Sequence, residues 1–204
     1  MNTKISTLLA TALVAIAPLA GAANVATGAA VTTAGAGFGQ SAGWGIGTLA
    51  DPSSLVDGAL VADGAQWNIG TVYWQGAVPD SADTITFVLS GAASVSSLFL
   101  QGDNNDLYTV SYEDTHGNWT TLATVQPNSG GAVNWGMGLA SDSFAAVTAV
   151  AFQIQGSGGD GSYAVSEFQV TGEFLPAVPE PTSSLLMLAG LGALAAAARR
   201  RSNR

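Results

Sequence analysis

The sequence predicts an all-β protein, an antiparallel β-sandwich that lies between two removable terminal segments. Between about residue 65 and residue 173, apolar and polar residues alternate with a period of two, which is typical of strands buried on one face. Clusters of Gly, Asn, Asp and Ser separate these stretches at near-regular spacing, as expected for turns. Outside the termini we find no amphipathic helical pattern, so the body of the chain is assigned to strands.

Residues 1–22 have the pattern of a secretory signal peptide. Lys4 precedes an apolar stretch over residues 5–19, and small residues at positions 20–22 form the exit. We expect Sec export and cleavage by signal peptidase after Ala22 or Ala23. The alternative is a permanent N-terminal anchor, but the apolar stretch is short for a membrane span and contains Pro18.

The mature chain is predicted to start with a Gly/Ala-rich segment at residues 23–49, which forms a first strand or a loop. The β-sandwich ectodomain follows at residues 50–174, long enough to bury a core. Its best-patterned strands carry three alternating apolar sets: Ile85, Phe87 and Leu89; Tyr108, Val110 and Tyr112; Val150, Phe152 and Ile154.

The ectodomain contains no basic side chain other than one histidine. The five basic residues are Lys4, Arg199, Arg200, Arg201 and Arg204, whereas thirteen of the fourteen acidic residues lie between Asp51 and Glu173. Such a body repels phosphate backbones and anionic headgroups, which excludes nucleic-acid binding. It also excludes lysine nucleophiles and arginine clamps.

The chain has no cysteine, so an exported form has neither disulfides nor thiol chemistry. Its stability must come from core packing, and a bound cation is a plausible addition. Calcium suits an acidic surface because it prefers carboxylate and carbonyl oxygens.

Evidence for catalysis is weak. Residues 39–43 read Gly-Gln-Ser-Ala-Gly and fit the nucleophile-elbow pattern, but the strand before and the helix after that this motif requires are not predicted. The single histidine, His116, lies in a predicted hairpin turn. A hydrolase with paired carboxylates stays an alternative, with Glu113 as its only named acid. We predict a protein that is not an enzyme.

The C-terminus has three consecutive parts. Val178, Pro179, Glu180 and Pro181 form an extended, exposed motif because each proline restrains its own backbone and that of the preceding residue. An uncharged Leu/Ala-rich stretch at residues 182–198 is predicted to be a transmembrane helix near the lower length limit. The basic residues that follow stay on the cytoplasmic side, so the ectodomain lies on the other side.

This order of parts closely resembles the PEP-CTERM sorting signal of Gram-negative bacteria, with its motif, its span and its basic cluster at Arg199, Arg200 and Arg201. The resemblance implies an inner-membrane-anchored precursor whose tail is removed by an exosortase. The mature protein is then expected in the cell envelope, at the cell surface or outside the cell. The alternatives are an ordinary tail anchor or a buried C-terminal helix.

A second resemblance covers residues 50–173. Leu55-Val56-Asp57-Gly58, Trp67, the strand patterns and the final segment around Glu167 occur in the order of a discoidin or galactose-binding-like jelly roll. The resemblance implies a structural Ca²⁺ with Asp57 and Glu167 as ligands and Asp63 as a weaker third. The alternative is that Asp57-Gly58 is only a turn and Glu167 only a solvated strand residue.

The same fold suggests sugar binding, although sugar-binding members commonly use an arginine that this ectodomain lacks. Tryptophans at positions 44, 67, 74, 119 and 135 offer stacking faces, but in a sandwich they more often pack in the core. We interpret Asp103-Asn104-Asn105-Asp106 as a turn that needs no ion.

Three functions therefore stay open. The first is a non-catalytic surface or matrix protein associated with exopolysaccharide or a biofilm, the second is a carbohydrate-binding module, and the third is a secreted hydrolase. We favour the first.

Overall fold

Among the described residues, nine β-strands form the body of the protein, and the two-residue alternation predicted such strands. The structure is a computed structural model that describes residues 22–41, 43–44, 47–76, 83–128, 136–176, 186–191, 193 and 199. The strands are β1 (Ala23–Asn24), β2 (Ala30–Ala34), β3 (Thr48–Leu49), β4 (Ile69–Gln75), β5 (Thr84–Asp103), β6 (Leu107–Glu113), β7 (Trp119–Val125), β8 (Met137–Gly158) and β9 (Ser162–Phe174). A short 3-10 helix, Pro52–Val56, precedes β4 and is capped by the Asp51 side chain.

The strands join in the order β3-β4-β9-β5-β8-β6-β7, with β1 beside β9 and β2 beside β5. All pairs are antiparallel except β3 with β4. The Gly/Ala-rich N-terminal segment therefore supplies three short strands to the sandwich. Val25, Ala26 and Ala29 from this segment are buried in the core.

The long strands β5 and β8 belong to both layers of the sandwich. Their register shifts between Val88 and Ala93, so the first part of β5 pairs with β2 and the second part with β9. The two layers meet through aromatic rings. Phe87 of β5 and Phe152 of β8 both contact Phe168 of β9, with ring centroids 4.6 and 5.7 Å apart. The predicted antiparallel β-sandwich is confirmed.

Burial follows the predicted faces closely. Ile85, Phe87 and Leu89 are buried, as are Tyr108 and Val110. Of the other predicted core positions, Phe152 and Ile154 are buried, whereas Tyr112 and Val150 are half-buried. Ala149 and Ala151 on the second face of β8, which were not predicted to face the core, are buried as well, so both faces of the strand are covered at this point.

Most of the predicted signal peptide and of the predicted C-terminal sorting signal lies outside the described residues. This applies to residues 1–21 of the signal peptide, to the motif at residues 178–181, and to most of the stretch 182–198. The C-terminal residues that are described, including Arg199, are helical. Leu186, Met187 and Leu188 are more than 70% exposed and do not pack on the sandwich core. Among the described residues, no helix has the length and apolar character needed to cross a membrane.

Candidate functional site

Three loops meet at one end of the sandwich, which we call the loop end. They are the loop at residues 57–68, the turn between β5 and β6, and the turn between β8 and β9. Gly136 and Met137, where β8 begins, link the first two loops. Met137 N–H donates to Ala65 O (2.9 Å), and Asn104 N–H donates to Gly136 O (2.9 Å). The third is linked by Asp160 N–H, which donates to Asp106 Oδ1 (3.1 Å).

The loop at residues 57–68 is held on the sheet by a buried side chain. Gln101 of β5 accepts from Val61 N–H (2.9 Å) through Oε1 and donates from Nε2 to Val61 O (2.9 Å). Its Oε1 also accepts from the Ser166 hydroxyl (2.6 Å). These hydrogen bonds satisfy both the oxygen and the nitrogen of the buried Gln101 amide. The side chain therefore fixes the loop over the ends of β5 and β9.

A buried tyrosine holds the β5–β6 turn. The Tyr108 hydroxyl donates to Ala164 O (2.9 Å) and accepts from the backbone N–H groups of Ala164 and Asp103, each at 3.1 Å. Burial, followed by the charges of Asp106 and Asp103, raises the pKa of this tyrosine well above its ordinary value. The hydroxyl therefore stays protonated and acts as a fixed structural group.

Two carboxyl groups of this turn are buried. The residues at 103–106 form the predicted turn, but Asp103 and Asp106 are 1% and 0% exposed. Burial raises the pKa of Asp103 to about 7, with Gly136 N–H opposing the change. Burial, then the charges of Asp103 and Asp160, raises the pKa of Asp106 to about 8. Sequence reasoning missed this, because an Asx-rich turn gives no sign that later loops cover it.

The candidate calcium ligands Asp57 and Glu167 are brought together. Glu167 is fully buried, and its Oε2 accepts from Gly58 N–H (3.3 Å) while its Oε1 accepts from Gln169 Nε2 (3.0 Å). Burial is the main reason that the pKa of Glu167 is raised, and the charge of nearby Asp57 adds to it. Asp57 follows the 3-10 helix, and its Oδ1 accepts from Ala59 N–H (2.8 Å).

Asp63 lies in the same loop as Asp57. Within the part of the chain that the structure describes, no three His, Cys, Asp or Glu side chains are placed to hold a metal ion together. A metal at the loop end therefore needs backbone carbonyls, amide oxygens or water to complete its ligands.

The tryptophans divide into two groups. Trp67 and Trp74 are buried: Trp67 meets Tyr73 edge-on, and Trp74 contacts Phe38, Tyr108 and Tyr163. Trp44 and Trp119 are 50% and 43% exposed. Trp135 lies outside the described residues. Two of the four described tryptophans thus have an accessible ring face.

The catalytic alternatives gain no support from the geometry. Glu113 ends β6, and the carboxylate of the adjacent Asp114 is engaged by the turn itself, accepting from His116 N–H (2.8 Å) and Asn118 N–H (3.0 Å). The described part of residues 39–43 is a loop bonded to β4 through Gly39 N–H and Tyr73 O (2.9 Å). The strand–turn–helix context of a nucleophile elbow is not found in that part.

Sequence comparison identifies the C-terminus. Residues 177–201 match the family model of the PEP-CTERM protein-sorting motif. The chain carries a PEP-CTERM sorting signal. The match covers the predicted motif, the apolar stretch and Arg199 to Arg201, and it implies export to the cell envelope or surface. No curated protein matches the chain by sequence.

Solved structures similar to this chain include carbohydrate-binding modules. A chitosan-binding module from a Paenibacillus sp. IK-5 chitosanase/glucanase is 23% identical, with 72% of this chain and 98% of that chain covered and a TM-score of 0.47. A Streptococcus pneumoniae fucose-binding module is 16% identical (74% and 96% covered, TM-score 0.47). A family 32 module from C. perfringens in complex with galactose is 18% identical (69% and 93%, TM-score 0.46). These values carry no inference about a ligand of this chain.

The raised pKa values predict that stability depends on pH through Asp106. A carboxyl group whose pKa is higher in the folded chain than in the unfolded chain binds more protons in the folded state. Its contribution to the free energy of unfolding is therefore complete below its unfolded pKa near 4 and is lost as pH rises through about 8. In chelator-containing buffer we expect Asp106→Asn to be the more stable form at pH 8, by roughly a few kcal/mol relative to the parent, and to lose this advantage by about pH 4. Denaturant titrations across this range measure the difference.

Asp142→Asn is the matched control, because Asp142 is exposed on β8. Equal pH profiles for the parent and Asp106→Asn would show that burial does not perturb this carboxyl group.

Proposed function

We propose that this protein is an exported, non-catalytic cell-surface or extracellular-matrix protein that an exosortase processes through its PEP-CTERM signal. The observation that carries the proposal is the family-model match at residues 177–201. An inner-membrane-anchored precursor precedes processing, with the span at residues 182–198 and the basic residues as its cytoplasmic stop. The mature ectodomain then associates with exopolysaccharide.

The exposure of the described apolar side chains at the C-terminus supports a tail that does not pack on the ectodomain. Its described leucines and methionine are exposed and make no core with the strands. In water this apolar surface is unfavourable, whereas in a bilayer it is favourable. Removal of both the signal peptide and the tail leaves a body whose only basic side chain is His116.

Processing depends on Glu180 in this proposal. We expect Glu180→Ala to accumulate as the membrane-bound, full-length chain in the producing bacterium, because the motif that the exosortase recognises has lost its charge. Mass spectrometry of the protein from membrane and surface fractions measures this. Glu173→Ala is the control, since Glu173 is an exposed acid a few residues upstream in β9. Removal of the tail from Glu180→Ala at the parental rate would refute the proposal.

We also propose a structural Ca²⁺ held by Asp57 and Glu167, with Asp63 from the same loop. The residues fit the ion: two carboxylates share one site without a cationic partner, and the Glu167 carboxylate is buried. Such an arrangement is stabilised by a divalent cation, because buried charges require a partner. The ion would join the loop at residues 57–68 to β9.

For this site we expect Ca²⁺ to raise the melting temperature of the parent and to raise it less in Asp57→Asn and Glu167→Gln. Differential scanning calorimetry with Ca²⁺ and with chelator measures the change. Asp51→Asn is the control, since Asp51 caps the preceding 3-10 helix and faces solvent. A melting temperature of the parent that is equal in Ca²⁺ and in chelator would exclude the site.

A second candidate function is carbohydrate binding, favoured by the exposed rings of Trp44 and Trp119. Sugars stack on such rings, and the acidic ectodomain favours a neutral or cationic glycan over an anionic one. This function is compatible with the first, since the bound polymer is then the matrix itself.

Binding through Trp119 is testable on a glycan array and with the polymer of the producing bacterium. We expect Trp119→Ala to lower affinity by about 1 kcal/mol or more, corresponding to the loss of one stacking ring. Leu139→Ala removes an exposed apolar side chain on β8 and is the control. Absence of binding by the parent to any neutral or cationic glycan, including the polymer of the producer, would reject this function.

A further inference from the structure

We propose, in place of the interpretation from sequence that this turn needs no ion, a second Ca²⁺ site at the turn between β5 and β6, with the carboxylates of Asp103 and Asp106 and the side-chain oxygen of Asn105 as ligands. It lies at the loop end but uses none of the ligands assigned to the site at Asp57 and Glu167. The two sites share no ligand.

The first observation is an unpartnered oxygen in the interior. The Asp106 side chain is fully buried, and its Oδ1 accepts from Asp160 N–H at 3.1 Å. Its Oδ2 is buried and has no hydrogen-bond partner among the described residues. A buried carboxylate oxygen without a partner costs several kcal/mol, and in proteins such groups are paired or bind a metal. The ectodomain has no Lys or Arg to pair with it.

The second observation is an unpartnered amide oxygen on the preceding residue, Asn105. Asn105 donates from Nδ2 to Asp160 Oδ2 at 2.9 Å, which fixes the orientation of the amide. Its Oδ1 is buried and has no hydrogen-bond partner in the described part of the chain. This amide oxygen only accepts hydrogen bonds, so it gains nothing from the ionised form of the Asp106 carboxyl group, and a cation can serve both oxygens.

The ligand set indicates the kind of ion. Two carboxylates and one amide oxygen are hard oxygen ligands, with neither nitrogen nor sulfur among them, and such sets bind Ca²⁺ in preference to Zn²⁺ or Cu²⁺. Among the residues that the structure describes, no three His, Cys, Asp or Glu side chains are placed to hold a metal alone, so in this proposal backbone oxygens and water complete the coordination.

The turn is rigid before any ion binds. The Tyr108 hydroxyl holds Asp103 N–H at 3.1 Å, and Gly136 N–H donates to Asp103 Oδ1 at 3.1 Å. At Gly159, whose φ is +106°, an added Cβ would lie 2.0 Å from Asp106 Oδ1, so the next turn closes directly over the carboxylate. A site prearranged in this way loses little conformational entropy when it binds.

The test is isothermal titration calorimetry, in which calcium chloride is titrated into the full-length chain in detergent. We expect two sites per chain in the parent. Asp106→Asn keeps the size of the side chain and weakens the second site by at least about tenfold, while the first site is retained. Asp57→Asn has the reverse effect, and Asp142→Asn, on an exposed acid, changes neither.

A gain-of-affinity variant keeps the proposal independent of folding defects. Asn105→Asp adds one ligand charge, and we expect it to tighten the second site, since affinity for Ca²⁺ rises with the number of charged ligands. Binding of a single ion by the parent that is unchanged in both Asp106→Asn and Asn105→Asp would overturn this proposal and leave the Asp57 and Glu167 site standing. Two ions in the parent, one of them lost in Asp106→Asn, would support it.

Discussion

The pairing of β5 with β8 is the interaction on which the rest of the structure depends. It runs from Ile85 and Ile154 to Asp103 and Met137, and a register shift in the middle lets the same two strands serve both layers. The layers close over Phe168, which meets one ring from each of these strands. Because β2, β6 and β9 all attach to this pair, its register decides which side chains of every other strand face the core.

The far end of that pair also creates the loop end. β5 finishes at Asp103 and β8 starts at Met137, so the β5–β6 turn and Gly136 are neighbours by register. The loop at residues 57–68 and the β8–β9 turn then cover the turn. This covering converts exposed aspartates of an ordinary turn into buried carboxyl groups with raised pKa values. A chain with no Lys or Arg in this region has only protons or bound cations to neutralise them.

Much of the fold follows from local pattern. Alternation placed Ile85, Phe87 and Tyr108 on buried faces correctly, because a period of two is intrinsic to a strand. The short strands of the N-terminal segment were less predictable: abundant Gly and Ala disfavour strands and mask the strand-forming Val and Thr residues, and β1 and β2 form because β9 and β5 offer free edges. Trp67 and Trp74 packed in the core as expected, whereas the exposure of Trp44 and Trp119 depends on where their loops lie.

The sequence by itself determined the sorting signal of this protein and its fold class. The sorting signal is linear, so three adjacent parts in order are enough to recognise it, and strand alternation is equally local. Only the tertiary structure decided that Asp57 meets Glu167 and that Asp106 is enclosed by the turn containing Gly159 and Asp160. These contacts join residues 53 to 110 positions apart. Burial and electrostatic coupling at such separations arise from the packing of loops, which no local pattern encodes.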